Sequence, residues 1–119
     1  MLSILGLPWP LLAVSLLVGA CSQTPPAPPT APGDATIEGV VVSLNTLPMT
    51  YDGSAILTLR TDAGERTVQI PARMNMCDAV GLDVALAAEP GQRLRVTGAL
   101  QGSGAVVPCR SSAHVICRL

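Results

Sequence analysis

The stretch that decides the fold is residues 54–70, which read SAILTLRTDAGERTVQI. Its first half alternates apolar and polar side chains, a period of two that is typical of a half-buried β-strand. Thr61-Asp62-Ala63-Gly64 follows, and these residue types favour a tight turn with glycine in the left-handed position. Residues 65–70 then return as a partner strand. The stretch therefore predicts an antiparallel β-hairpin.

Strand patterns continue on both sides of this hairpin. Upstream, residues 37–44 are rich in β-branched side chains, and Gly39 stands where a strand can bend or bulge. Downstream, residues 92–100 alternate cleanly with arginines facing outward, and residues 101–104 form a turn. Residues 105–109 are expected to pair back, and a last strand is expected at 114–118. The folded part is thus predicted to be all-β.

One segment, residues 77–88, departs from alternation. Val80, Val84 and Ala87 or Ala88 fall at helical spacing, and Asp78 or Asp83 is available as the N-cap. We therefore expect one short helix that ends before Pro90-Gly91.

The order strand, hairpin, short helix, hairpin resembles that of the OB-fold, a small Greek-key barrel. Residues 90–98, PGQRLRVTG, are similar to the fourth strand of many OB-fold proteins. The resemblance implies a barrel of five to six strands with one short helix between strands 3 and 4. A six-stranded sandwich is the competing architecture.

The composition limits the classes of function. The chain has 119 residues and a net charge of −1, its seven basic residues are all arginine, and it contains no phenylalanine. A single domain with an aliphatic core fits this length and composition. A charge balance so close to zero gives no long-range field that would steer the chain onto nucleic acid.

An apolar run near the N-terminus ends in Val18-Gly19-Ala20-Cys21. A short apolar run followed by small residues is typical of a signal peptide, here residues 1–20. The four residues resemble the lipobox of bacterial lipoproteins. That resemblance implies cleavage before Cys21, a diacylglycerol on its thiol, and an exported protein held to the membrane by this anchor. Ser22 favours the outer membrane, facing the periplasm, over the inner membrane under the sorting rule of enterobacterial lipoproteins.

Residues 22–33 read SQTPPAPPTAPG and contain five prolines. Such a segment cannot bury enough apolar surface to fold, and it favours extended polyproline II geometry. Residues 21–33 therefore form the predicted acylated cysteine and tether, and residues 34–119 form the predicted barrel domain.

Three further cysteines lie in the predicted domain. An exported compartment permits disulfides, and one bond stabilises a small domain by roughly 2–4 kcal/mol. We expect Cys77–Cys109, because Cys77 follows the third strand and Cys109 ends the fifth, both near the closing edge of the barrel. Cys109–Cys117 is the alternative pairing.

A soft-metal site is the alternative function. Met74, Met76, Cys77 and His114 offer thioether, thiolate and imidazole ligands, which suit Cu(I). Periplasmic copper carriers with an OB-fold provide a resemblance in fold and compartment. The principal prediction remains a domain with neither metal nor cofactor.

An enzyme is not predicted, because the chain has no lysine and its one histidine lacks a serine–aspartate arrangement around it. By analogy with OB-folds, we place a candidate binding face near Tyr51, Arg60 and Arg73. One ring on this face is too few for the base-stacking surface that nucleic-acid binding requires. The sequence therefore predicts a lipid-anchored binding module whose partner is an envelope protein or a cell-wall component.

Overall fold

The structure is a computed structural model that describes residues 33–119. In chain order its elements are strand β1 (Asp34–Asn45), a 3-10 turn (Leu47–Tyr51), β2 (Ala55–Thr61), β3 (Gly64–Ile70), a second 3-10 turn (Met74–Met76), helix α1 (Leu82–Leu86), β4 (Arg93–Leu100), β5 (Val106–Val107) and β6 (Val115–Arg118). Five strands follow one another around a barrel as β1-β2-β3-β5-β4, and β4 pairs with β1 to close it. β6 adds to β4 beside β5. This closed sheet confirms the OB-like barrel and excludes the sandwich.

β1 is long because it pairs with two other strands. Residues 34–40 pair with β4, and residues 40–45 pair with β2. The register shifts between Val41 and Ser43, so the bulge lies there and not at Gly39. Gly39 instead allows a close approach of two strands, since a Cβ atom at this position would lie 2.6 Å from the carbonyl oxygen of Arg60.

The predicted hairpin is confirmed as β2 and β3, which pair in unbroken register from Ala55 opposite Ile70 to Thr61 opposite Gly64. The hydroxyl of Thr61 donates to the Gly64 carbonyl at 2.7 Å and accepts from the Ala63 N–H at 3.2 Å, while Gly64 has a φ of +103°. The turn chemistry of the sequence thus sets the register of the hairpin.

The core cluster of the described residues is aliphatic. Its buried members include Ile37, Val41, Leu57, Leu59, Val68, Ile70, Leu94, Val96, Val106 and Ile116. Each of the larger ones stabilises the fold by roughly 1.5–3 kcal/mol relative to an exposed side chain. β3 and β5 meet in parallel at a single register pair, Val68 and Val106, so this seam has the shortest ladder of the barrel.

α1 occupies the predicted place between β3 and β4, but its boundary and its buried face differ from the prediction. Gly81, and neither Asp78 nor Asp83, is the N-cap residue. Leu82 and Ala85 are buried, whereas Val80 is exposed. The reason is a tertiary contact: the Val80 N–H donates to the His114 carbonyl at 3.0 Å, and the Val80 carbonyl accepts from Ile116 at 2.9 Å.

The last two strands are shorter than predicted. β5 spans two residues instead of 105–109, because Pro108 has no N–H to donate to a ladder. β6 begins at Val115 and not at His114.

Candidate functional site

A disulfide joins Cys77 and Cys109, whose Cα atoms lie 4.5 Å apart. It ties the segment that follows β3 to the segment that follows β5. The Cys109 carbonyl also accepts from the N–H groups of Asp78 and Ala79 at 2.8 and 3.0 Å. The predicted pairing is therefore confirmed. Cys117, the alternative partner, is buried in β6 opposite Arg95 and is not bonded to Cys109.

His114 is a buried structural residue. Its side chain is 3% exposed, and its Nδ1 atom accepts from the Cys109 N–H at 3.1 Å. The Nε2 atom lies 3.1 Å from the Asp34 Oδ1 atom. Because Nδ1 acts as an acceptor, the ring hydrogen is on Nε2 and donates to the Asp34 carboxylate. His114 thereby links the start of β1 to the disulfide segment.

The copper alternative lacks its ligand set in this geometry. The sulfur of Cys77 is bonded to Cys109, and both nitrogen atoms of His114 are engaged within the protein. Met74 packs against the core, while Met76 is 72% exposed. Within residues 33–119, no group of three or more His, Cys, Asp or Glu side chains is placed to hold a metal ion.

The structure brings two of the three residues of the predicted binding face to one end of the barrel. Tyr51 is 83% exposed at the end of the first 3-10 turn. Its neighbour Asp52 lies 3.8 Å from the Arg73 guanidinium. Arg60 is also exposed, but it lies five residues along β2 from Ala55, the end of the strand nearest Tyr51. At about 3.4 Å per residue, Arg60 is about 17 Å from Ala55. Arg60 therefore belongs to the opposite end of the β2–β3 hairpin.

An open groove of about 520 Å³ starts at Arg73. We call it the Arg73 groove, and it is lined by Pro71, Arg73, Met76, Ala99, Gln101, Val107, Cys109 and Arg110. One wall is the segment between β3 and the disulfide, and the other is formed by the outward-facing residues of β4 and β5. The disulfide fixes the two walls relative to each other. The groove is thus a concave surface on a rigid frame, of the size that ligand pockets have.

Sequence reasoning found Arg73 but not Arg110 or the exposed position of Met76. Arg110 directly follows Cys109, so its nearness to the predicted disulfide was the available signal. Val107 and Ala99 join the groove because β4 and β5 pair at these two residues. Such a pairing brings together side chains that no local pattern connects.

No protein-family model and no curated protein matches this chain. The predictions for Cys21, the signal peptide and residues 22–32 lie outside the described residues.

No helix within residues 33–119 has the length and apolar character needed to cross a membrane.

Proposed function

We propose that this chain is a lipid-anchored binding module of the bacterial cell envelope, without enzymatic activity. Acylated Cys21 anchors it, the proline-rich residues 22–33 space it from the membrane, and the barrel presents a binding surface. Its partner is an envelope protein or a cell-wall component, and the outer membrane facing the periplasm is its proposed location.

The Arg73 groove is the observation that carries this proposal. It combines a concave shape with exposed Met76 on one rim and two arginines, Arg73 and Arg110. Arginine and methionine are enriched at protein interfaces because they combine apolar contact area with strong donors or an adaptable shape. Tyr51 and Asp52 extend the surface beside Arg73.

The disulfide supports the proposed compartment. Structural disulfides persist in oxidising environments such as the bacterial periplasm and are rare in the reducing cytosol. Cys77 and Cys109 close a loop with a sequence separation of 32 residues. In the chain-entropy account such a loop stabilises the fold by about 3–4 kcal/mol, which is a large share of the stability of a small domain.

The state of His114 supports a non-enzymatic role. A general base needs a nitrogen atom that can reach the proton it abstracts. Both nitrogen atoms of the one imidazole in this chain are hydrogen-bonded inside the domain, and the ring is buried. These contacts support a structural role for His114. They leave the ring without a lone pair for a substrate, because Nδ1 already accepts from Cys109.

Photocrosslinking in the intact envelope tests this function. A photoreactive phenylalanine analogue at Met76 places the probe on the rim of the Arg73 groove. The same analogue at Ala63, an exposed turn residue at the other end of β3, is the matched control. We expect a discrete crosslinked product at Met76 that is absent at Ala63.

Mass spectrometry of that product would identify the partner as a protein or a cell-wall fragment. A chain that gives no product at Met76, or the same products at both positions, would contradict the proposed binding role.

A further inference from the structure

We infer that the Arg73 groove binds a carboxylate-bearing peptide, with an apolar side chain on the groove floor and carboxylates on the two arginines. This inference rests on the proposed function and specifies the chemical class of its ligand. The groove itself is a site that the sequence did not indicate.

The floor of the groove suits a small apolar side chain. Ala99 and Val107 lie next to each other as a β4–β5 pair, and Pro71 and Met76 flank them. Methionine is unbranched and flexible, so Met76 can adjust to the shape of a bound side chain. Binding of an apolar side chain here is favourable because it removes water from an aliphatic surface. The same groups offer few hydrogen bonds to a sugar or a base.

The lining of the groove is positively charged. All eight acidic residues of the chain lie within residues 33–119, and none of them lines the groove. Since the whole chain has a net charge of −1, the excess of positive charge is a local property of this surface. Among the described residues Arg110 has no carboxylate partner.

Arg73 is available to a ligand although it lies near Asp52. The two charged groups are 3.8 Å apart, and their side chains are 70% and 76% exposed. An exposed ion pair of this kind contributes little, and it is screened by salt. A ligand carboxylate that makes two parallel hydrogen bonds with the planar guanidinium can therefore replace Asp52.

Peptide is favoured over nucleic acid and over phosphate. No aromatic ring lines the groove in the described part of the chain, so bases have nothing to stack on. Phosphate sites usually add several backbone or hydroxyl donors, whereas this lining has one amide side chain, that of Gln101. Two separate guanidinium groups above an aliphatic floor match a short acidic peptide best.

The test measures binding of two labelled peptides to the full mature chain in detergent micelles. The acidic probe is Ala-Leu-Glu with a fluorophore on its N-terminus and a free carboxyl terminus. The neutral control is Ala-Leu-Gln amide with the same fluorophore. Fluorescence anisotropy should give a Kd for the acidic probe at least about tenfold lower than for the neutral one, because charged hydrogen bonds are the stronger ones.

Variants assign the binding to the groove. Arg73→Gln and Arg110→Gln should each raise the Kd of the acidic probe roughly tenfold. Arg93→Gln, which removes an exposed arginine at the start of β4, should leave it within about twofold. Circular dichroism of each variant checks that the barrel is intact.

Equal affinity for both probes, no binding, or the same weakening by Arg93→Gln and Arg110→Gln would overturn the inference. So would displacement of the probe by inorganic phosphate more strongly than by acetate at equal ionic strength, since the groove would then be a phosphate site. If Met76 crosslinks a partner while the acidic probe fails, only the ligand class is wrong. If the probe binds while Met76 crosslinks nothing, the envelope role is wrong and the chemistry of the groove stands.

Discussion

At the scale of single residues, His114 is held by contacts that span the chain. Its ring accepts from the Cys109 N–H and donates to Asp34, the first residue of β1. Asp34 is also the point where the predicted tether enters the barrel. A buried histidine with two partners in the protein is fully satisfied, so this polar group is compatible with an aliphatic core.

Replacing His114 tests this reading. His114→Ala leaves the Asp34 carboxylate and the Cys109 N–H without a partner, and we expect a loss of about 2–3 kcal/mol in the free energy of unfolding. Asp34→Asn keeps an oxygen that can accept from Nε2, so its expected loss is about 1 kcal/mol or less. Urea unfolding of the two variants measures both values.

Equal losses for His114→Ala and Asp34→Asn would show that the charge on Asp34, and not the hydrogen bond, holds the pair. That result would contradict the neutral Nε2–H form assigned to the ring.

At the scale of elements, the junction between α1 and β6 shows how a tertiary contact overrides a local pattern. Gly81, the N-cap residue of α1, has a φ of +90°, and a Cβ atom there would overlap the backbone carbonyl of Ile116. The packing of Gly81 against β6 therefore fixes the start of the helix, and an aspartate cap does not.

A pair of glycines separates backbone strain from this close contact. Gly81 and Gly104 both have a φ of +90°, but a Cβ atom at Gly104 would have no atom within 4 Å. Gly104→Ala should lower the free energy of unfolding by about 1–2 kcal/mol through strain alone. Gly81→Ala should lower it by about 3 kcal/mol or more, because β6 must also move.

Thermal unfolding of the two glycine variants gives the comparison, since each kcal/mol shifts the Tm of a domain of this size by about 4–8 °C. Similar Tm values for Gly81→Ala and Gly104→Ala would show that the contact with β6 is not tight.

The hairpin and β4 were predictable because their information is local. Alternation put Leu57, Leu59, Leu94 and Val96 in the core, and turn residues fixed the connection at Gly64. The helix face was predicted in part: Ala88 is buried and Val84 packs against the core, but Val80 joins β6, a contact across more than 30 residues. His114 lies two residues before Ile116, and residues two apart in a strand face the same side. The burial of His114 could therefore have been inferred from the strand pattern. Its partner Asp34, 80 residues away, could not.

The candidate site was predictable only in part for the same reason. Residue type, position and compartment led to the Cys77–Cys109 bond, and fold analogy led to Arg73. The grouping of Arg73 with Arg110 and Met76 depends on the barrel bringing the ends of β3 and β5 together. Arg60 was included by fold analogy, and the length of β2 separates it from the others.

At the scale of the whole molecule, we propose three parts: an anchor at Cys21, a spacer and a barrel that carries the Arg73 groove. The spacer of residues 22–33 reaches a few nanometres when it is extended, at about 3.1 Å per residue. In the proposed arrangement, that reach lets the groove meet a partner away from the membrane surface. The binding role and the anchor can be tested separately. The anchor determines the compartment in which any partner must lie.

The intact mass of the protein isolated from membranes tests the anchored module most directly. The account predicts the mass of residues 21–119 plus a diacylglyceryl group on Cys21, and loss of membrane association in Cys21→Ser. A lipid-free chain, or a Cys21→Ser variant that stays in the membrane fraction, would contradict the account.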